Sequence, residues 1–236
     1  MLAYLDDLAA APGENALSVY LPPRLPAAEL ENALTEVPAV LDIAAQLFSL
    51  ATRSETGVVI IWSSGKKCLI SPPFPVSGRN IAHLLDVAGL RALLTRDFRV
   101  GLVLVRLGAY AVGVCAGEKV ISSKVGTGLV HGRHRQGGSS AHRFERHRDK
   151  QIETFLTRVC QRVREQLEPH LKSLDYVVYG GARQTILLLQ KQCPLLQRLE
   201  IPVLPPLLDI PDPRQAVLEA AVARLWSSTV MEWEDA

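Results

Sequence analysis

The sequence predicts an α/β (α+β) protein built on a mixed, largely antiparallel sheet with packed helices. Three features predict it. Three β-prone segments separated by glycines run through 99–125, a long amphipathic helix follows, and a further strand and helix come after that helix. At 236 residues the chain is long enough for one large domain or two small ones, and its 48% hydrophobic content fits a globular core.

Taken in order, residues 1–25 carry Pro12, Pro22 and Pro23 and read as irregular. From Ala27 to Ala51, Leu30, Leu34, Leu41, Ala44, Ala45 and Phe48 recur near helical spacing, with Pro38 dividing two helices. Val58 to Trp62 is a dense β-prone run. After a turn at Ser63-Ser64-Gly65 a second strand runs from Lys67 to Ser71. A helix is expected at about Ile81 to Leu94. Arg99 to Leu107, Ala109 to Ala116 and Glu118 to Val125 then form an antiparallel meander turning at Gly108 and Gly117. Beyond residue 150, Ile152, Phe155, Leu156, Val159, Val163, Leu167, Leu171 and Leu174 trace one helical stripe, which Pro169 ends or kinks. Asp175 to Tyr179 is a short strand, and Arg183 to Leu199 a helix interrupted at Pro194. A proline-rich connector leads to a last helix, Gln215 to Leu225. The expected organisation is a helical segment over 1–55 packed on a main domain over 56–236.

Other signals narrow the class. No run approaches about eighteen uninterrupted apolar residues, so no membrane span is expected. The start, MLAYLDDLAA, carries Asp6 and Asp7 where a secretory signal has basic residues. Cys68, Cys115, Cys160 and Cys193 are widely spaced with no C-x-x-C pair. Neither a disulfide framework nor a zinc site is expected, and a reducing, cytoplasmic compartment is. No cofactor is implied, and nothing readable encodes the oligomeric state.

The positive charge is concentrated. Residues 131–150 read HGRHRQGGSSAHRFERHRDK, with five Arg and one Lys against one Glu and one Asp, a net of +4 in a chain of net +2. Four of the six histidines lie there too. Such a segment, read as a mobile loop whose glycine-rich part is 131–141, suits a polyanion, RNA above all. Arg133, Arg135, Arg143, Arg146 and Arg148 offer planar bidentate donors for phosphate, and His134 can stack or hydrogen-bond. Gly137 and Gly138 allow close backbone approach. Gln136 carries a neutral amide that can orient water without competing as a nucleophile. Composition alone also allows a merely solvated loop. His142 and His147 are poorly spaced for metal ligation.

The segment GGSSAHRFERHRDKQIETFLTRV resembles the central domain of class I archaeal and eukaryotic translation termination factors. The preceding meander and the DYVVYGG strand end resemble that domain as well. Within that superfamily the chain is similar to the Vms-like release factors, in particular the stand-alone actinobacterial type, over about residues 97–200. The resemblance implies a ribonuclease-H-like catalytic domain and hydrolysis of peptidyl-tRNA on the large ribosomal subunit in rescue of stalled ribosomes. It implies Gln136, Gly137, Gly138 and Ser139 as catalytic positions, and Arg133, His134, Arg135, Arg143, Arg146 and Arg148 as RNA contacts. One departure matters. Termination factors place Gln directly after Gly-Gly, whereas Ser139-Ser140 stands there and Gln136 precedes the pair. Gln136 is the first choice for placing water and Ser139 the second, and loss of catalysis is the third possibility. A two-metal nuclease is disfavoured because the strands at 58–62, 99–107 and 109–116 hold no carboxylate. A metal-independent tRNA 3′-end nuclease and a ribosome- or tRNA-binding module without hydrolysis stay open as alternatives.

Overall fold

The structure, a computed structural model, describes residues 1–11, 13–35, 43–132 and 139–233, with backbone alone for 139–142. In chain order the elements are α1 (Leu2–Ala10), β1 (Leu17–Leu21), α2 (Ala27–Thr35), α3 (Ala44–Arg53), β2 (Val58–Trp62), β3 (Lys67–Ser71), β4 (Asn80–Ala82) and α4 (Ala88–Thr95). Then come β5 (Arg99–Arg106), β6 (Ala109–Ala116), β7 (Lys119–Thr127), α5 (Ser139–Leu167), β8 (Tyr176–Gly181), α6 (Arg183–Gln192), α7 (Pro194–Gln197), β9 (Val203–Leu208), α8 (Gln215–Leu225) and β10 (Thr229–Trp233). A 3-10 segment, Glu168–Ser173, continues α5 where Pro169 removes a backbone donor. Among the described residues no helix is long and apolar enough to cross a membrane.

The chain divides into two compact units, 1–96 with 225–236, and 97–224. The expected boundary at 55/56 falls between α3 and β2, inside the first unit. That unit is a three-layer sandwich around an antiparallel sheet of order β10-β3-β2-β1-β4. Period-two alternation sorts its side chains. Leu17, Val19, Leu21, Val58, Ile60, Trp62 and Leu69 meet α2 and α3, while Tyr20, Val59, Ile61, Cys68 and Ile70 meet α1 and α4. The buried Ser18 hydroxyl donates to the Leu84 carbonyl and accepts from the Asp86 amide. The Asp86 carboxylate in turn accepts from the Ala88 amide at the start of α4. These bonds, with β4 paired to β1, explain why residues 81–87 are not helical as the spacing predicts.

The second unit positions the candidate site. Its sheet has the order β7-β6-β5-β8-β9, with β7, β6 and β5 antiparallel and β5, β8 and β9 parallel. This sheet is mixed, and with the fully antiparallel sheet of the first unit the strand pairing is largely antiparallel and covered by helices, as the sequence predicts. Val103, Val105, Tyr110, Val112, Val114, Val177 and Tyr179 form one face and meet Phe155, Leu156, Val159, Val163 and Leu167 of α5, with Ile186 and Leu189 of α6. Each such side chain contributes roughly 1.5–3 kcal/mol by leaving water. Leu218 of α8 covers the opposite face, coming so close at Gly113 that a Cβ there would lie 3.3 Å from its Cδ1.

Two findings differ from expectation in this unit. The proline-rich connector contains β9, an edge strand, where Pro205 and Pro206 cost the sheet least. Cys160 of α5 and Cys193, between α6 and α7, form a disulfide with Cα atoms 5.3 Å apart. Their 33-residue separation gives no sequence cue, because only the packing of α6 on α5 brings them together.

Candidate nucleic-acid interface

The site grows out of the end of the meander. Gly128 closes the turn geometry by donating its amide to the Gly108 carbonyl at 2.9 Å. Three side chains of α5 then hold the limb that follows. Arg158 Nη1 donates to the Thr127 carbonyl at 3.2 Å, Gln151 Oε1 accepts from the His131 amide at 3.1 Å, and Arg148 Nε donates to the His131 carbonyl at 3.0 Å. The limb therefore enters the loop from a fixed position, with both backbone groups of His131 satisfied by one helix.

Gln136, Gly137, Gly138, Arg133, His134 and Arg135 lie outside the described residues. Ser139 is the first residue of α5, so the expected loop ends earlier than 141. Residues 143–150 are helical rather than loop, and all of them except Arg148 are exposed. They show no apolar stripe, which is why the spacing argument finds the helix only from Ile152. Arg, Glu and Lys are nevertheless good helix formers. About 18 Å of helix separates Ser139 from Gln151.

Of the expected RNA contacts in this helix, Arg143 and Arg146 are exposed and Arg148 is half-buried against His131. Phe144, 57% exposed, lies between the first two, and Leu129 on the limb is 72% exposed. An aromatic ring among arginines suits stacking on unpaired bases. A cavity of about 310 Å³ opens at the root of the limb, lined by Leu129, His147, Lys150, Thr154 and Arg158 among others, with no carboxylate. The roles of Gln151 and Arg158 were not found by sequence reasoning. They look like ordinary polar residues on a helix, and only the return of the chain after β7 gives them a partner.

The free thiol of this unit is closed off. The Cys115 thiol is fully buried, and burial pushes its pKa up to about 12, so it stays protonated at neutral pH. The Asp175 carboxylate accepts from the Arg99 amide at 2.9 Å, tying the start of β8 to β5. Among the described residues no group of three or more His, Cys, Asp or Glu is arranged to hold a metal ion.

Residues 98–231, more than half of the chain, match the family described as Actinobacteria/chloroflexi VLRF1 release factor. The chain belongs to that release-factor family. The match begins where the resemblance near residue 97 does and extends it through α8 and into β10. The chain is also 30% identical over 164 residues to peptide chain release factor subunit 1 of Archaeoglobus fulgidus, covering 65% of this chain and 40% of that protein. It thus spans less than half the length of that relative. Two solved structures are similar over 95% of this chain and 72% of theirs. They are an archaeal translation termination factor, aRF1 (18% identity, TM-score 0.41), and a chain described as an archaeal protein (17% identity, TM-score 0.39).

Proposed function

We propose that this VLRF1-family release factor is a peptidyl-tRNA hydrolase that frees nascent chains from stalled ribosomes, acting in the cytoplasm. Its partners are the large ribosomal subunit and the peptidyl-tRNA it carries. The observation that carries this reading is a sequence segment rich in arginine and glycine that leads into α5, whose residues 143–147 are exposed, in a chain whose family is shown.

The proposed chemistry needs no tuned protein base. The ester between nascent peptide and tRNA ribose is activated, so orienting water and donating to the developing oxyanion lower the barrier. Gln136 orients the water through its amide, and Gly137 and Gly138 let the backbone approach. Ser139 opens α5, whose first-turn amides have no intrahelical acceptor and can serve as donors. Arg133, His134, Arg135, Arg143, Arg146 and Arg148 bind RNA, with Arg148 also fixing the limb through His131.

The direct test adds purified protein to stalled large-subunit complexes carrying labelled peptidyl-tRNA. Free peptide and full-length tRNA are the expected products. A tRNA shortened at its 3′ end would instead establish a nuclease, and co-sedimentation without either product a binding module. Charge reversal at Arg143 and Arg146 is expected to weaken binding about 10-fold or more near physiological salt and to flatten the dependence on salt. Binding that ignores salt concentration would contradict phosphate contact by this face.

A further inference from the structure

We propose that Cys160 and Cys193 form a reversible thiol–disulfide site, at which low-molecular-weight thiols and their disulfides enter through Cys160. The two sulfurs are not equivalent. Cys193 is fully buried, whereas Cys160 retains 8% of its surface and borders a cavity of about 430 Å³ with Thr157, Gln161, Arg164 and Gln192. The cavity wall includes Cys160 and not Cys193, so Cys160 is the member of the pair on the solvent side.

The pair can open without dismantling the unit. Gln192 Nε2 donates to the Glu153 carbonyl at 2.9 Å and to Thr157 Oγ1 at 2.6 Å, so α6 is tied to α5 beside the disulfide by hydrogen bonds as well. Both cysteines also sit in the apolar layer formed by α5, α6 and the sheet. The remaining cysteines, Cys68 and Cys115, are fully buried and do not compete. Burial raises both of their thiol pKa values.

The exchange balances as follows. A thiolate RS⁻ attacks Cys160 Sγ, and the Cys160–Cys193 bond breaks. Cys193 Sγ leaves with the electron pair and takes a proton. A second thiol attacks the R sulfur of the mixed disulfide, releasing RSSR and leaving Cys160 reduced. In sum, one protein disulfide and two RSH give a protein dithiol and one RSSR, and the reverse reaction with RSSR closes the bond. The closed state fixes α5, the helix that carries the basic segment, to α6.

The test uses the full chain in native buffer with reduced and oxidised glutathione in varied ratio, acid quenching, alkylation and peptide mass mapping. The expected result is reversible conversion of the pair while Cys68 and Cys115 stay unlabelled. A glutathione adduct should form on Cys160 in Cys193→Ser and none on Cys193 in Cys160→Ser. The oxidised protein should melt on the order of 5–10 °C above the reduced one. A pair inert to millimolar reductant in the native protein would overturn the proposal, as would an adduct on Cys193, or labelling of Cys115 as fast as Cys160. If either variant fails to fold, the transient mixed disulfide in the unsubstituted chain decides by which cysteine carries it. The readout is thiol state, so it stands apart from any result on peptide release.

Discussion

Gln136→Ala is expected to lower peptide release by about 10²–10³-fold while ribosome binding stays within about twofold. The rate loss follows from removing one oriented polar group from a reaction that depends on placement and oxyanion stabilisation. Binding survives because the amide carries no charge, and the phosphate contacts that dominate affinity belong to the arginines. Single-turnover release from stalled complexes, with co-sedimentation in parallel, separates the two effects. Unchanged release in this variant removes Gln136 from the mechanism, and Ser139→Ala then becomes the informative substitution.

Phe155→Ala is expected to destabilise the chain by about 3–5 kcal/mol and lower Tm on the order of 10 °C. Phe155 is 2% exposed, its ring lies 6.2 Å from that of Tyr110, and Gly128 packs so close that a Cβ there would lie 2.6 Å from its Cδ2. Truncation opens a void beneath the exit of β7, at the root of the limb held by Arg158, Gln151 and Arg148. The limb cannot settle into it without breaking the Gly128–Gly108 bond. Leu129→Ala, one residue along but 72% exposed, serves as the control and is expected to stay within about 0.5 kcal/mol. Urea unfolding of both variants checks the contrast.

The parts of the fold that sequence made legible are those where one pattern dominates. The meander from Arg99 is a nearly continuous apolar run with glycine turns, and the stripe from Ile152 and the helix Gln215–Leu225 are regular segments of ten residues or more, so pattern reports them directly. The missed elements are short or depend on distant partners. β1 has five residues, all buried, between proline-marked segments. β10 is half-exposed and exists through its pairing with β3, more than 150 residues away. At the candidate site the charge of Arg143, Arg146 and Arg148 was readable from composition. That Arg148 also binds the His131 carbonyl was not, because nothing local links those positions.

The long helix has a mechanical consequence. Phe155 is the first fully buried residue among the described part of this helix, and about 24 Å of helix separates it from Ser139. That span is a lever arm with its fulcrum at Phe155 and Gln151. A tilt of about 5° at the root sweeps the tip through roughly 2 Å, and displacements of about 1 Å are enough to spoil a reacting geometry. The bonds to Thr127 and His131 brace the lever close to its fulcrum, so stiffness at the root governs accuracy at the far end.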